Sequence, residues 1–107
     1  MKHVIPLNSE SEFQSILADP NPILLYFSTP NCNVCHAMLP KLLSALEDAP
    51  TPIIEIDASV YPQIAGQQRI FVAPTVLVFY EGKEILRESR FIDIDKIQRL
   101  LDLILSS

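Results

Sequence analysis

The sequence contains two cysteines, Cys32 and Cys35, at C-x-x-C spacing. An apolar run over residues 23–27 precedes them and predicts a buried strand. Apolar residues at helical spacing follow them and predict a long helix with one wet face: Met38, Leu39, Leu42, Leu43 and Leu46. Cysteines three positions apart on the first turn of a helix are neighbours, with Cα atoms ~5–6 Å apart, which suits a disulfide. A thiol pair at a strand-to-helix turn in an α/β chain indicates redox chemistry.

The two cysteines have different predicted environments. Cys32 is expected at or next to the N-cap of the helix, where free N–H groups and the helix dipole favour the thiolate. Cys35 lies one turn further in, so it is expected to be more buried and to keep its proton longer. We therefore predict that Cys32 attacks a disulfide and that Cys35 resolves the resulting mixed disulfide. These two residues are the predicted catalytic pair.

His36 follows Cys35 directly and lies four residues after Cys32, so the two can share a helix face. A charged imidazole there would favour the thiolate, and a neutral one could move protons. The alternative is a solvated histidine on the helix surface with no chemical role. His36 is therefore a candidate modulator of the cysteine pair.

Two other chemistries also match this motif. The run Cys32–His36 fits C-x-x-C-H, the pattern for covalent haem attachment, but that use would require export and a haem cavity. A closed zinc site requires four ligands, and the fourth candidate, His3, is distant in sequence. We therefore predict no metal and no cofactor.

Length and charge exclude several classes of protein. The 107 residues suit one domain with a single core, and 49% of them are hydrophobic. The net charge is −5 and the eight Lys and Arg residues are scattered, so neither nucleic acid nor an anionic membrane is an expected partner. No segment approaches the ~18 consecutive apolar residues of a membrane span. If Met1 is the natural start, no signal-like run precedes the domain, and we expect a cytoplasmic monomer. A reducing cytoplasm would favour a redox-active pair over a static disulfide.

The rest of the chain alternates strands and helices. The predicted order is β, α, β, α, β, short α, β, β, α, and the first strand is placed at an edge because Pro6 cannot donate to a ladder. Ser9 and Asp93 are expected helix caps, and Pro40 is expected to kink the helix that contains it. The expected strands are residues 4–7, 23–27, 53–56, 75–80 and 84–90. This order predicts an α/β fold with a central mixed sheet and helices on both faces.

Over its whole length the chain resembles the thioredoxin family. The resemblance rests on the apolar strand before the cysteines, on Cys32-Asn33-Val34-Cys35, and on Pro40 five residues later. It also rests on Val72-Ala73-Pro74-Thr75, which matches the cis-proline turn of the family, and on Glu81-Gly82. The resemblance implies a thioredoxin fold as a single domain over residues 1–107.

The family pattern also implies an activity and a substrate site. The implied activity is reduction of disulfides in partner proteins, after which an upstream reductase reopens the Cys32–Cys35 disulfide. Ala73-Pro74 would form a cis peptide bond beside that disulfide, and the Ala73 backbone would bind an extended substrate.

The chain departs from the family near the site. Tyr26 occupies the position of a buried acid, so Cys35 lacks an evident internal base; water or His36 would take the proton, or resolution is slow. The other departures are Ile53 for a lysine, Asn31 for a tryptophan, Asn33-Val34 for Gly-Pro, and no glycine near Phe91 or Ile92. These changes leave open an alternative function, a binding or adaptor module with little turnover.

Overall fold

The computed structural model describes residues 2–106 and contains five strands and four helices in that range. The elements alternate in the predicted order. Their bounds are β1 Val4–Pro6, α1 Glu10–Leu17, β2 Ile23–Ser28, α2 Asn33–Ala45, β3 Ile53–Asp57, α3 Pro62–Gln67, β4 Thr75–Tyr80, β5 Lys83–Ser89 and α4 Ile94–Leu105. The predicted elements are confirmed, with ends displaced by one or two residues.

The five strands form one mixed sheet in the order β1-β3-β2-β4-β5. Strand β3 runs parallel to both β1 and β2, whereas β4 is antiparallel to β2 and β5. The central strand β2 is buried at all six positions, as expected for a strand that is covered on both faces. Pro6 lies on the edge strand, where a missing N–H breaks no central ladder.

Each face of the sheet carries its own hydrophobic core. On one face, Leu24 and Tyr26 of β2 pack with Leu42 of α2 and Leu101 of α4. On the other face, residues from α1 and α3 cover the alternate positions of the strands, and Phe13 of α1 is fully buried there. Because side chains alternate along a strand, β2 serves both cores. The arrangement is the predicted α/β sandwich with helices on both faces of the sheet.

Local sequence signals set the helix ends. The side chain of Ser9 accepts a hydrogen bond from the Glu12 N–H, and that of Asp93 accepts one from the Lys96 N–H. Helix α2 continues through Pro40, although the proline leaves the carbonyl four residues earlier without its usual helical donor. The expected caps are confirmed.

Left-handed backbone occurs in three loops of the described range: at Arg69 after α3, where φ is 58°, and in the loops that follow β4 and β5. In the β4–β5 turn, Glu81 has φ 53° and Gly82 has φ 77°. After β5, Arg90 has φ 65°, and its N–H donates to the Pro74 carbonyl at 2.7 Å. The position in this loop that would favour glycine is therefore Arg90, one residue before the predicted location near Phe91 or Ile92. This bond connects the β5–α4 loop to the loop that precedes β4.

The helices within residues 2–106 are too short or too polar to span a membrane: none of them is long and apolar enough to cross a bilayer.

Candidate active site

Cys32 is the N-cap residue of α2. Its backbone is extended, with φ −95° and ψ 99°, and its Sγ accepts a hydrogen bond from the Cys35 N–H at 3.1 Å. The first helical N–H groups have no partner within the helix, so sulfur takes the place that a serine or aspartate oxygen usually holds. A donor at this position, together with the helix dipole, stabilises negative charge on Sγ.

Cys32 and Cys35 form a disulfide, and their Cα atoms are 5.2 Å apart. The pairing uses both cysteines of the chain, so this oxidised state has no free thiol. Cys35 is only 2% exposed, whereas Cys32 is half-buried. The predicted asymmetry of burial is therefore present: a partner can reach Cys32 but not Cys35.

Tyr26 contacts the cysteine turn from beneath. Its side chain is fully buried on β2, and its hydroxyl donates to the Cys35 carbonyl at 2.7 Å. The thioredoxin family pattern has a buried acid at the position of Tyr26. In this structure the tyrosine is instead a neutral hydrogen-bond donor to the Cys35 backbone. Burial and, to a smaller extent, the nearby Glu55 carboxylate raise the pKa of Tyr26 to about 12. The phenol is therefore protonated at neutral pH and holds the first turn of α2 on the sheet.

A carboxylate lies next to Tyr26 on the adjoining strand. Glu55 of β3 is the register partner of Tyr26, and it accepts a hydrogen bond from the Ser28 hydroxyl at 3.0 Å. Glu55 and Ser28 also line a cleft of about 230 Å³ that reaches His36. Sequence reasoning did not single out Glu55 or Ser28. The available signal was a lone charge inside an otherwise apolar strand, Ile53-Ile54-Glu55-Ile56.

The loop before β4 contains the expected cis bond, between Ala73 and Pro74. Ala73 and Cys32 both pack against the core cluster that contains Cys35, so this loop and the disulfide lie on the same side of the sheet. A shallow cleft of about 140 Å³ lies beside Ala73 and is lined also by Thr29 and Phe71. The structure thus places Ala73 on one cleft with Thr29, three residues before Cys32, and substrate binding at Ala73 and Pro74 stays a prediction.

His36 is exposed on the first turn of α2. Its Nε2 lies 3.0 Å from the Pro30 carbonyl, which can only accept, so the proton is on Nε2. The ring is thus turned toward the loop before Cys32. Across residues 2–106, no group of three or more His, Cys, Asp or Glu side chains is placed to hold a metal ion.

Large apolar side chains are exposed in the segments around the disulfide. Val34 lies between the two cysteines, Phe71 lies in the loop before Pro74, and Phe91 follows Arg90. Their exposed fractions are 53%, 87% and 83%. Sequence reasoning noted Val34 and Phe91 only as departures from the family, and it missed Phe71.

Comparison with known proteins agrees with this geometry. The family model described as thioredoxin matches residues 4–103. The thioredoxin-like protein YdfQ of Bacillus subtilis is 32% identical over 102 residues, which cover 94% of this chain and 91% of that protein. The thioredoxin of Chlamydia trachomatis is 25% identical over 99 residues and is covered to 96%.

Comparison with solved structures also finds thioredoxins. The crystal structure of thioredoxin from Trypanosoma brucei brucei superposes with a TM-score of 0.84 at 18% identity, over 98% of this chain and 93% of that one. At that identity the likeness concerns the fold alone. The family model matches nearly the whole chain, and the structure has the Cys32–Cys35 disulfide at the N-terminus of α2. The chain therefore belongs to the thioredoxin family.

Proposed function

We propose that this protein reduces disulfides in partner proteins by dithiol–disulfide exchange at Cys32 and Cys35. Membership of the thioredoxin family and the disulfide-bonded pair support the broader class, a thiol–disulfide oxidoreductase. The single observation that carries the proposal is the N-cap position of Cys32, a half-buried residue whose sulfur accepts a hydrogen bond from a backbone N–H.

In the first step, the Cys32 thiolate attacks one sulfur of a partner disulfide. A bond forms between Cys32 Sγ and that sulfur, and the second partner sulfur leaves as a thiolate that takes a proton from solvent. The Cys35 N–H, 3.1 Å from Cys32 Sγ, stabilises the attacking thiolate. Ala73, which packs against the same core cluster as Cys32, is the proposed backbone site for an extended partner segment.

In the second step, Cys35 loses its proton and attacks Cys32 Sγ. The mixed disulfide breaks, the partner leaves with both of its sulfurs reduced, and two electrons have passed from the cysteine pair to the partner. The protein is left with the Cys32–Cys35 disulfide seen here. An upstream dithiol reductase must then reopen this bond. The proposal places the protein in the cytoplasm, where such reductants keep thiols reduced.

The test is a pair of single-cysteine variants. Cys35→Ser should accumulate mixed disulfides with partner proteins on Cys32, because the resolving thiol is absent. Cys32→Ser is the matched control and should accumulate few, because Cys35 is buried. The wild-type protein should reduce a model protein disulfide with turnover when a dithiol is supplied.

Reactivity of Cys32 distinguishes the proposal from a binding or adaptor role. Alkylation of Cys35→Ser by iodoacetamide should stay fast at mildly acidic pH, where an ordinary thiol, with a pKa near ~8.5, reacts slowly. Ordinary thiol reactivity together with no turnover would contradict the reductase and support the adaptor module.

A further inference from the structure

We propose that Glu55 is the proton acceptor for the Cys35 thiol when Cys35 resolves the mixed disulfide. This inference rests on the proposed reductase function. It concerns a step that the cysteine pair cannot complete alone, since Cys35 must lose a proton before it can attack. Tyr26 does not meet that need, because its hydroxyl is a protonated donor to the Cys35 carbonyl.

Glu55 faces the helix that carries the cysteines. It pairs in register with Tyr26, and alternation along β3 puts it on the same face as Ile53, which packs in the core cluster of Cys35. Glu55 and Tyr26 are therefore neighbours on adjacent strands, and the Tyr26 hydroxyl is bonded to the Cys35 backbone. Glu55 brings an anionic group to this side of the cysteine turn.

The Glu55 carboxylate has a fixed orientation. The Ser28 hydroxyl, which is only 6% exposed, donates to Glu55 Oε2 at 3.0 Å. A buried hydroxyl bound to a carboxylate is a charge-assisted contact, and it holds the acid against β2. A solvated surface glutamate would have no such restraint.

The side chain of Cys35 is buried under α2, whereas Glu55 lines the cleft of about 230 Å³. Cys35 does not line this cleft, although its neighbour His36 does, so the proposed transfer has to cross the first turn of α2. One water occupies ~30 Å³ of liquid volume, so the cleft is large enough to admit several. We assign the transfer to a water relay that leads from Cys35 into this cleft and ends at Glu55.

Other titratable groups face Glu55 from the elements around it. Pro6 at the end of β1 and the following Leu7 line the cleft, and neither of them titrates. The titratable groups are Tyr26 from β2, His36 from α2 and Asp57 on β3.

The contacts of His36 and Asp57 point away from this role. The Asp57 carboxylate accepts both the backbone N–H and the hydroxyl of Ser59, so it is engaged in its own turn. The protonated nitrogen of His36 is bound to the Pro30 carbonyl. The hydrogen bond of Glu55 differs from those of His36 and Asp57, because its donor, Ser28, is the last residue of β2, the strand that leads into the cysteine turn.

The Cys35 S–H bond breaks, and its proton passes through water to the Glu55 carboxylate. The electron pair left on Cys35 Sγ forms the bond to Cys32 Sγ, and the bond from Cys32 to the partner sulfur breaks. The departing partner thiolate takes up a proton, which Glu55 can return through the same water. Glu55 is thus regenerated in each cycle.

The experiment separates the two steps with a coloured disulfide. Reduced protein is mixed with dithiobis(nitrobenzoate) in a stopped-flow instrument; attack by Cys32 releases one coloured thiolate, and resolution by Cys35 releases the second. Glu55→Gln should slow the second release by a factor on the order of 100, the lower end of what positioned general bases contribute. The first release should change little. Glu47→Gln, which removes the same charge from an exposed residue just beyond the C-terminal end of α2, is the control and should alter neither release.

The pH profile gives a readout that a purely structural role would not move. Carboxylates are ionised near neutral pH, so the wild-type resolution rate should keep a pH-independent component there. In Glu55→Gln that component should vanish, and the rate should rise about tenfold per pH unit as hydroxide takes over. Glu55→Asp should restore part of the component, and Ser28→Ala, which keeps the charge but loses its orientation, should slow resolution several-fold. These two variants also serve if Glu55→Gln does not fold.

The outcomes distinguish this inference from the proposed function. If the wild-type protein releases only one thiolate, or reacts no faster than a free thiol, the reductase proposal fails. If it gives both releases and the Glu55 variants resolve at the wild-type rate and pH dependence, only the role of Glu55 is overturned. Slower resolution in His36→Gln with unchanged resolution in Glu55→Gln would assign the proton to His36 instead.

Discussion

The hydroxyl of Tyr26 donates to the backbone carbonyl of Cys35 at 2.7 Å, inside a core where the tyrosine has no exposed surface. The bond ties the first turn of α2, which holds the resolving cysteine, to the central strand of the sheet. An acid at the same position could accept a proton at neutral pH, whereas a phenol with a pKa of about 12 cannot. The chain has therefore a structural contact at the position where the family pattern has an acid.

Removing this hydroxyl should weaken the oxidised protein. Tyr26→Phe keeps the buried ring and deletes one hydrogen bond, so we expect a loss of about 1 kcal/mol in the free energy of unfolding. Urea unfolding of the oxidised form at neutral pH measures it. Tyr61→Phe is the matched control, because it deletes a longer bond, 3.2 Å to the Leu7 carbonyl, from a half-buried tyrosine. A loss in Tyr26→Phe no larger than in Tyr61→Phe would contradict the structural role.

Alkaline pH should destabilise the protein through the same residue. The folded state raises the pKa of Tyr26 to about 12 from an ordinary value near ~10, so between these values the unfolded chain has lost a proton that the folded chain keeps. Stability is therefore fully present below pH ~10 and falls as the pH rises toward about 12, by roughly 2–3 kcal/mol in total. The measurement is urea unfolding of the oxidised form at several pH values in this window, where no free thiol can start disulfide exchange. Tyr26→Phe should lack this part of the decline, and parallel curves for the two proteins would refute the assignment to Tyr26.

Placing an acid at this position should speed resolution. Tyr26→Asp introduces a carboxylate beneath Cys35, and burial keeps such a group basic enough to accept a thiol proton. We expect faster decay of the mixed disulfide in stopped-flow measurements. Tyr26→Asn is the control, since it makes the same cavity without the base, and the rate ratio of the two variants isolates the charge. Equal rates for Tyr26→Asp and Tyr26→Asn would show that an acid at this position does not assist the step.

The order of strands and helices follows from local patterns that a sequence displays directly. The apolar run of β2, the alternating residues of β4 and the caps at Ser9 and Asp93 each specify their own element. The spacing of Cys32 and Cys35 likewise predicted a pair within disulfide reach, because one helical turn fixes their separation.

Contacts between distant segments were not predictable in the same way. Glu55 meets Ser28 across 27 residues, and the pairing depends on the parallel register of β2 and β3, which no local pattern states. The hydrogen bond of Tyr26 to Cys35 also requires the helix to sit over β2 at one particular height. Backbone conformation gave a third difference: Arg90 adopts φ 65°, although an arginine gives no local signal for left-handed backbone.

The two glycines of the chain should respond in opposite ways to alanine. Gly82 has φ 77° in the β4–β5 turn, and a Cβ there would meet only the Leu17 carbonyl, at an ordinary 3.6 Å, so the cost of Gly82→Ala is backbone strain of about 1–2 kcal/mol. Gly66 lies within α3, and a Cβ there would have no atom within 4 Å, so Gly66→Ala should stabilise the fold by up to about 1 kcal/mol. Thermal or urea unfolding measures both, and Gly82→Asn should fall between glycine and alanine because asparagine tolerates this backbone better. A neutral or stabilising Gly82→Ala would show that the turn relaxes to a right-handed conformation, in which case the pairing of Tyr80 with Lys83 should shift as well.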